Sequence, residues 1–465
     1  MSRLTDTVAA ISTPPGKGGV AVIRISGDEA LEVLSRIFVS PNGKTKNPTP
    51  RVATYGKLVR SGEVVDDVVV TYFKAPASYT GEDTVEISCH GGVLVTGEVL
   101  STVLSAGARL AEAGEFTKRA FINGRLSLTE AEAIGALLSA ESREQLRLAS
   151  EPSRLKTCER IAKIRESLVS IMSSVFARID YPDEDLGDYT DEELSLALYN
   201  IKEELEAFIS TYKTGKAIYE GVRAVIVGSP NAGKSSLYNL IVGEDAAIVT
   251  NIAGTTRDLL SSSVPLGRVM LRLTDTAGIR KTADEVEAIG VGRAIKRAEE
   301  AELLIAVFDT SHAPEDSDRE ISEMLAKSSA AKIVLFNKTD LAASPEWETE
   351  RQEIEKTVSF TLDVSIKCDT GGALSEITRA VESLFTDEKI KAGEDAIVFT
   401  ARTHAMLSRA NEFVSAAYFA LLDGHSQDTV SSDIERALMA LSDSDAREVS
   451  EDIVSDIFSK FCVGK

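Results

Sequence analysis

Apolar residues in the first 120 positions form short runs that are separated by Pro, Gly and polar residues. Five of these runs have the length and the β-branched content of strands, namely Thr7–Ile11, Gly19–Ile25, Val52–Val59, Asp67–Phe73 and Thr84–Cys89. The Pro and Gly residues between them are typical of turns. We therefore predict a mixed α/β domain over residues 1–120.

The following part of the chain has a different pattern, in which Ala, Glu, Leu and Arg dominate and Pro is rare. Apolar residues recur there at helical spacing, for example over Ile161–Ile171. Helical spacing returns near the C-terminus, over Ala405–Leu422 and Asp433–Leu441. Because another type of segment separates these two stretches, we predict one discontinuous helical domain made of residues 121–219 and 387–465.

The segment between the helical stretches begins with a glycine-rich loop. The apolar run Val222–Val227 leads into the loop Gly228–Ser235, with the letters GSPNAGKS, and Ser236–Leu240 has the pattern of a helix. Strand, loop and helix together match the G-x-x-x-x-G-K-[ST] phosphate loop in the context that it requires. Backbone N–H groups can bind the β-phosphate, Lys234 can bind the β- and γ-phosphates, and the Ser235 hydroxyl can ligate Mg²⁺.

Three further guanine-nucleotide motifs follow, each after an apolar run. Asp275-Thr276-Ala277-Gly278 offers a carboxylate to Mg²⁺ and a backbone N–H to the γ-phosphate. In Asn337-Lys338-Thr339-Asp340, the Asp340 carboxylate can accept two hydrogen bonds from guanine that adenine cannot donate, which selects GTP over ATP. Ser365-Ile366-Lys367 resembles the usual Ser-Ala-Lys motif, in which a backbone N–H makes the contact. These motifs predict a Ras-like P-loop GTPase domain over residues 220–386.

The hydrolytic part of this domain departs from Ras-like enzymes at one position. Ile279 follows the Asp275–Gly278 motif, where Ras-like enzymes have a glutamine that orients the attacking water. An isoleucine cannot orient water, so another group has to do so. The segment Gly254–Asp258 lies where a switch I threonine normally ligates Mg²⁺, and we predict Thr256 for that role.

Charge and cysteine usage narrow the class of protein. The net charge is −22, which argues against a general nucleic-acid-coating protein because phosphate neutralisation needs clustered Lys and Arg. Residues 1–130 carry 14 Lys plus Arg against 14 Asp plus Glu, so a nucleic-acid partner is best placed near this region or at basic positions of the GTPase domain. The four cysteines are far apart, which predicts neither disulfides nor a zinc site. The absence of a signal pattern and of an 18-residue apolar run predicts a cytoplasmic protein without a membrane partner.

Several blocks of the chain carry a family resemblance. They are Thr13–Gly19, Arg24–Gly27, Tyr79–Asp83, His90–Gly92, Gly114–Phe121 and Cys462–Lys465. With the internal GTPase, they resemble the tRNA modification GTPase family MnmE, also called TrmE, over the whole length. The resemblance implies a homodimer that works with the FAD-containing flavoprotein MnmG. It also implies that the pair installs a carboxymethylaminomethyl or aminomethyl group at C5 of the wobble uridine, position 34, of certain tRNAs.

The resemblance also implies roles for individual residues. The N-terminal domain would bind formyl- or methylene-tetrahydrofolate through Arg24, Glu82, Arg125 and Lys465. Glu can pair with the pterin N–H edge, and Arg or Lys can pair with the glutamate tail. Arg125 stands where some members have lysine, which keeps the charge with a different geometry. Cys462 is a candidate catalytic thiol, with a buried structural thiol as the open alternative.

Two replacements for the missing catalytic groups follow from the same resemblance. Glu287 would orient the attacking water, and K⁺ would neutralise transition-state charge. The K⁺ ligands would be Asn231, Thr250, Ile252 and Thr255. The complete set of predicted GTP-binding residues is Asn231, Ala232, Gly233, Lys234, Ser235, Ser236, Thr250, Asn251, Ile252, Ala253, Gly254, Thr255, Thr256, Asp275, Thr276, Ala277, Gly278, Asn337, Lys338, Asp340, Ser365, Ile366 and Lys367.

Two other classes of function stay open at this point. One is an Era-like GTPase switch in ribosome assembly or signalling, which would tolerate removal of the N-terminal domain. The other is a folate-dependent one-carbon transferase whose GTPase is only regulatory. Residues 1–120 discriminate between these functions and favour the modification enzyme.

Overall fold

The fold is described from a computed structural model, which covers residues 6–41, 48–180, 190–243, 261–274, 300–442, 454, 457–459, 461, 463 and 464. The chain divides into two compact units. The first unit comprises Met1–Leu138, Ile161–Tyr199 and Arg409–Lys465, and the second comprises Ser139–Arg160 and Asn200–Ser408.

The first unit contains a seven-stranded sheet. Its strands, in chain order, are β1 (Val8–Ile11), β2 (Val20–Ser26), β3 (Phe38–Val39), β4 (Thr54–Arg60), β5 (Glu63–Phe73), β6 (Thr84–His90) and β7 (Arg109–Leu110). In space they lie in the order β3-β4-β5-β6-β2-β1-β7. All neighbouring strands are antiparallel except β1 and β7. The five strands predicted for this region are confirmed to within a few residues at each end.

Helices cover both faces of this sheet because side chains alternate along each strand. Ala9 faces one core with α1 (Ala30–Ile37) and α2 (Val93–Ser105). Its neighbours Val8 and Ala10 face a second core with Phe116 of α3 (Glu115–Ile122). β2 also alternates, with Ile23 and Ile25 in the first core. This alternation puts Arg24 and Ser26 on the face of the sheet that α3 covers.

Five helices, two of them with 20 or more residues, follow the N-terminal sheet within the described part of the chain. The structure has α4 (Leu128–Leu138), α5 (Arg143–Leu148), α6 (Glu151–Asp180), α7 (Asp191–Ser210) and α8 (Tyr212–Tyr219). The end of the chain returns to the first unit, where Val454, Phe458 and Phe461 pack against Phe121 and Leu128. None of the helices within the described ranges is long and apolar enough to cross a membrane.

The second unit contains a six-stranded sheet. Its strands are β8 (Val222–Gly228), β9 (Ser261–Leu266), β10 (Val269–Thr274), β11 (Leu303–Asp309), β12 (Ala331–Asn337) and β13 (Phe360–Asp363). The spatial order is β13-β12-β11-β8-β10-β9, and every pair is parallel except β9 and β10. The helices that follow α8 are α9 (Lys234–Val242), α10 (Asp316–Lys327), α11 (Trp347–Glu355), α12 (Thr370–Phe385), α13 (Ala401–Leu422) and α14 (Gln427–Ser442).

This parallel sheet is buried on both faces, as parallel sheets usually are. On β8, Ala224 and Ile226 face a core with α9 and α12, whereas Val225 and Val227 face a core with α10 and α11. In the apolar run before Ser365, only Phe360–Asp363 forms a strand, which pairs with β12. The fold-class prediction, an α/β N-terminal part with helices and a P-loop GTPase sheet, is confirmed.

Candidate functional site

The glycine-rich loop lies between the end of β8 and the first turn of α9. Asn231 (φ 62°) and Gly233 (φ 114°) both adopt the left-handed conformation that the tight turn needs. A side chain at Gly233 would collide with the Asn337 amide. The Lys234 ammonium donates to the carbonyls of Gly228 and Ser229, each at 2.8 Å. The loop therefore holds its lysine over the helix N-terminus, where a phosphate group would be bound.

Asn337 connects three of the predicted motifs. Its side chain is buried, and its Nδ2 donates to the carbonyl of Ala232 at 2.8 Å. Its Oδ1 accepts from the backbone N–H of Ile366 at 3.1 Å. A single amide therefore fixes the phosphate loop, the end of β12 and the loop after β13 relative to one another. In this arrangement Asn337 positions the two loops.

The predicted guanine-selective carboxylate, Asp340, is exposed next to these loops. Its Oδ1 accepts from the Ser365 hydroxyl at 2.5 Å. That hydrogen bond is the main reason why the pKa of Asp340 lies below its usual value. The carboxylate is therefore ionised and oriented at neutral pH, which is the state that accepts hydrogen bonds from a base.

Lys338 is held by an aspartate that the sequence analysis did not identify. Its backbone has φ 65°, and its Nζ lies 2.5 Å from Oδ2 of Asp309. Burial raises the pKa of Asp309, but hydrogen bonds from Lys338 and Ser311 outweigh burial and lower it. Asp309 ends β11 directly beside Asn337. Its place at the carboxyl end of a buried strand was the signal that could have found it.

The remaining predicted nucleotide residues divide into two groups. Ser235 and Ser236 are exposed in the first turn of α9, and Lys367 is exposed after Ile366. The exposed Ser235 hydroxyl is an oxygen ligand of the type that Mg²⁺ accepts. The other predicted residues lie outside the described part of the chain: Thr250, Asn251, Ile252, Ala253, Gly254, Thr255, Thr256, Asp275, Thr276, Ala277, Gly278 and Glu287.

A second cluster of predicted residues lies in the first unit, around the loop Tyr79–Glu82. Arg24 reaches this loop from β2, with its guanidinium carbon 5.2 Å from the ring centre of Tyr79. The same guanidinium donates to Glu86 at 2.8 and 3.0 Å. Arg125 also adjoins this loop, because a side chain at Gly81 would contact its aliphatic part. The fold thus brings Arg24 and Arg125 to one loop from positions about 100 residues apart in sequence.

Glu82 ends this loop and is only 2% exposed. Its Oε2 accepts from the Ser26 hydroxyl at 2.9 Å and from Arg119 Nη1 at 3.1 Å. The fully buried Arg119 also pairs with Glu115 at 2.9 Å and with Asp6 at 2.7 Å. The sequence analysis placed Arg119 within a family block and gave it no role.

The chain end also returns to this unit. The Ser12 hydroxyl donates to the carbonyl of Gly464 at 3.0 Å, and Val463 forms an antiparallel bridge with Ala113. A side chain at Gly464 would collide with the carbonyl of Ile11. Cys462 and Lys465 themselves lie outside the described residues.

An open cleft of about 580 Å³ adjoins the loop Tyr79–Glu82. It is lined by Arg51, Phe73, Pro76, Ala77, Ser78, Tyr79 and Arg125. The cleft thus shares Arg125 with the predicted folate-binding set, and it shares Tyr79 with the surroundings of Arg24.

Comparison with known proteins identifies the family of the chain. The family described as "GTP-binding protein TrmE N-terminus" matches residues 7–125, and the "MnmE helical domain" family matches residues 128–462. A protein of Acetivibrio thermocellus, named tRNA modification GTPase MnmE, is 38% identical over 464 residues, which cover 99% of each chain. Proteins of the same name from Natranaerobius thermophilus and Clostridioides difficile are also 38% identical, over 99% of this chain and 99% and 100% of their own lengths.

Proposed function

The chain belongs to the MnmE family of tRNA modification GTPases, and from this premise we propose the reaction that it serves. The protein is a GTPase of tRNA modification. We propose that it works as a homodimer in the cytoplasm with the flavoprotein MnmG. The product would be a carboxymethylaminomethyl or aminomethyl group at C5 of uridine 34 in certain tRNAs. The observation that carries this proposal is the 38% identity over 99% of both chains.

The nucleotide site supports the hydrolytic part of the proposal through the chain's own residues. Lys234 binds the β- and γ-phosphates from its position over the helix N-terminus. Asp340 accepts hydrogen bonds from guanine, and the hydroxyl of Ser365 keeps that carboxylate charged. Ser235 and Thr256 would hold Mg²⁺, an ion that neutralises charge on the phosphate oxygens when bound.

Two further roles complete the proposed hydrolysis. Glu287 would orient the attacking water, since Ile279 cannot. Asn231, with Thr250, Ile252 and Thr255, would hold K⁺, an ion that can supply the positive charge of an arginine finger. The side chain of Asn231 is exposed in the phosphate loop, which leaves its amide oxygen able to bind a cation.

The N-terminal site supports a one-carbon donor of the tetrahydrofolate class. Arg24 is partly exposed beside an aromatic ring, and Arg125 is exposed at the open cleft, so both can contact a ligand with carboxylates and a flat ring system. We propose that Glu82 and Lys465 complete the site and that Cys462 is its thiol. We further propose that residues 1–120, 121–219, 220–386 and 387–465 are the folate and dimerisation domain, the first helical part, the GTPase domain and the second helical part.

The experiment that tests this function measures wobble-uridine modification in tRNA from cells whose only copy carries Lys234→Ala. We expect loss of modified uridine 34 together with loss of GTP hydrolysis, because the variant lacks the cation on the phosphates. Lys327→Ala is the matched control, since Lys327 is an exposed lysine of the same unit that pairs with Glu323. Normal modification in the Lys234→Ala cells would contradict a role for GTP hydrolysis in this reaction.

A further inference from the structure

The cleft in the first unit has an unusual charge environment. The described residues up to 130 include seven arginines. Five of them pair with a carboxylate, namely Arg24, Arg36, Arg60, Arg109 and Arg119. The other two, Arg51 and Arg125, are exposed and both line the cleft. Within the described ranges, neither has an acidic partner. The two guanidinium groups of this described region that have no acidic partner therefore both line the cleft.

Arg51 has an unfavourable backbone conformation at the cleft. Its φ of 62° lies in the left-handed region, which arginine rarely adopts. The turn is fixed by backbone hydrogen bonds from Arg51 to Tyr72 at 2.7 Å and from Val52 to Thr49 at 3.1 Å. Glycine would adopt this conformation without strain. A strained arginine at the mouth of a cleft indicates that its side chain has a use there.

The geometry of the cleft determines the ligand that it fits. Phe73 and Tyr79 contribute aromatic surface, and the two arginines contribute positive charge. Two guanidinium groups in one cleft are fewer than the clustered Lys and Arg that an extended track along an RNA backbone needs. A short, flexible chain that carries several carboxylates matches two exposed guanidinium groups better.

We propose that this cleft binds the γ-linked polyglutamate tail of the folate and that Arg51 selects polyglutamylated folates over the monoglutamate. The inference rests on the proposed folate site, because Arg125 belongs to both. Arg125 contacts the part of the ligand near its first glutamate, and Arg51 contacts the carboxylates of the later glutamates. The ligand class is therefore a tetrahydrofolate with an extended oligo-γ-glutamyl chain.

The test compares two probes, 5-formyl-tetrahydrofolate with one glutamate and with three, by calorimetric titration of the full-length protein. We expect the wild type to bind the triglutamate about threefold to tenfold more tightly, as one or two charge-assisted contacts would give. Arg51→Gly should bring the ratio of the two dissociation constants close to one. This variant suits the left-handed backbone and therefore keeps the turn. Arg51→Lys should retain part of the ratio.

The control is Lys57→Ala, which removes one positive charge from β4 at an exposed position outside the cleft. It should keep the wild-type ratio. Equal affinity of the wild type for both probes would overturn the inference and leave the folate site in place. An unchanged ratio in Arg51→Gly would overturn the role of Arg51, and a loss of tRNA affinity in that variant without a change in ratio would assign the cleft to RNA. If neither probe binds, the folate part of the proposed function fails, and the inference fails with it.

Discussion

Replacing Arg119 by methionine tests how the N-terminal site is held together. Arg119 is fully buried and lies among three carboxylates, those of Glu82, Glu115 and Asp6. Methionine is unbranched and replaces the aliphatic part of the arginine side chain without its guanidinium group. The change therefore removes one positive charge while it leaves the three acidic partners in place.

The expected loss of stability depends on the partners that each carboxylate retains in the variant. Asp6 is about half exposed and Glu115 retains Arg109 at 2.7 Å, so both remain compensated in the variant. Among the described residues, Glu82 then retains only its hydrogen bonds from Ser26 at 2.9 Å and Asn123 at 3.5 Å. Breaking a buried ion pair by removing one partner costs about 3–5 kcal/mol. We expect the Arg119→Met variant to lose stability in this range.

The assay is denaturant unfolding of the full chain, followed by circular dichroism, with the transition of each unit fitted separately. The matched control is Arg36→Met, which removes an exposed arginine paired with Glu32 on α1 and should cost less than about 1 kcal/mol. If Arg119→Met costs no more than Arg36→Met, the buried ion cluster does not stabilise the unit. In that case the reasoning from burial is wrong.

The pH dependence of the wild type provides an independent check on the same cluster. Burial raises the pKa of Glu115, but hydrogen bonds from Arg109, the Glu112 backbone and Arg119 outweigh it and lower the pKa. A carboxylate with a lowered folded pKa stabilises the protein above its unfolded pKa, here 4.5, and this contribution is lost as pH falls through the folded value. The wild type should therefore lose stability below about pH 4.5 more steeply than Arg119→Met does.

Further predictions concern the nucleotide site and the chain end. Asp340→Asn should shift the nucleotide preference from guanosine toward xanthosine nucleotides by about 10²-fold or more, because the new amide donates a hydrogen bond where the carboxylate accepted one. Competition binding measures this preference. A retained preference for GTP would show that Asp340 does not recognise the base. GTP hydrolysis should be faster in K⁺ than in Na⁺, since Ile279 cannot orient water and Asn231 offers a cation ligand, and equal rates would exclude the K⁺ site. Glu287→Ala should lower kcat by roughly 10² or more with nearly normal nucleotide affinity, whereas unchanged turnover would exclude Glu287. Deletion of residues 462–465 should weaken formyl-tetrahydrofolate binding and abolish tRNA modification, because it removes the contacts of Val463 and Gly464 with Ala113 and Ser12. GTP hydrolysis should persist in this variant. A truncated protein with normal tRNA modification would refute the terminal part of the folate site.

Secondary structure around the nucleotide site could be predicted from the sequence because it depends on local patterns. The apolar run Val222–Val227 and the glycine-rich loop predicted β8 and the start of α9 to within a few residues. The strand β11 was not predicted, although it lies at the centre of the sheet. A fully buried strand is a continuous apolar run, and such a run can also be a buried helix segment.

Tertiary structure alone decided which side chains meet. Asn337 bonds Ala232 across 105 positions, and Arg119 bonds Asp6 across 113. The hydrophobic periodicity of the sequence cannot predict such pairs, because they depend on the order of strands in a sheet and on the helix that covers each face. The sequence therefore determined the types of element and the chemistry of the phosphate loop. The packing of distant elements decided that Asn337 joins two loops and that Arg119 compensates Glu82. It also decided that Arg51 and Arg125, which have no acidic partner within the described ranges, line one cleft.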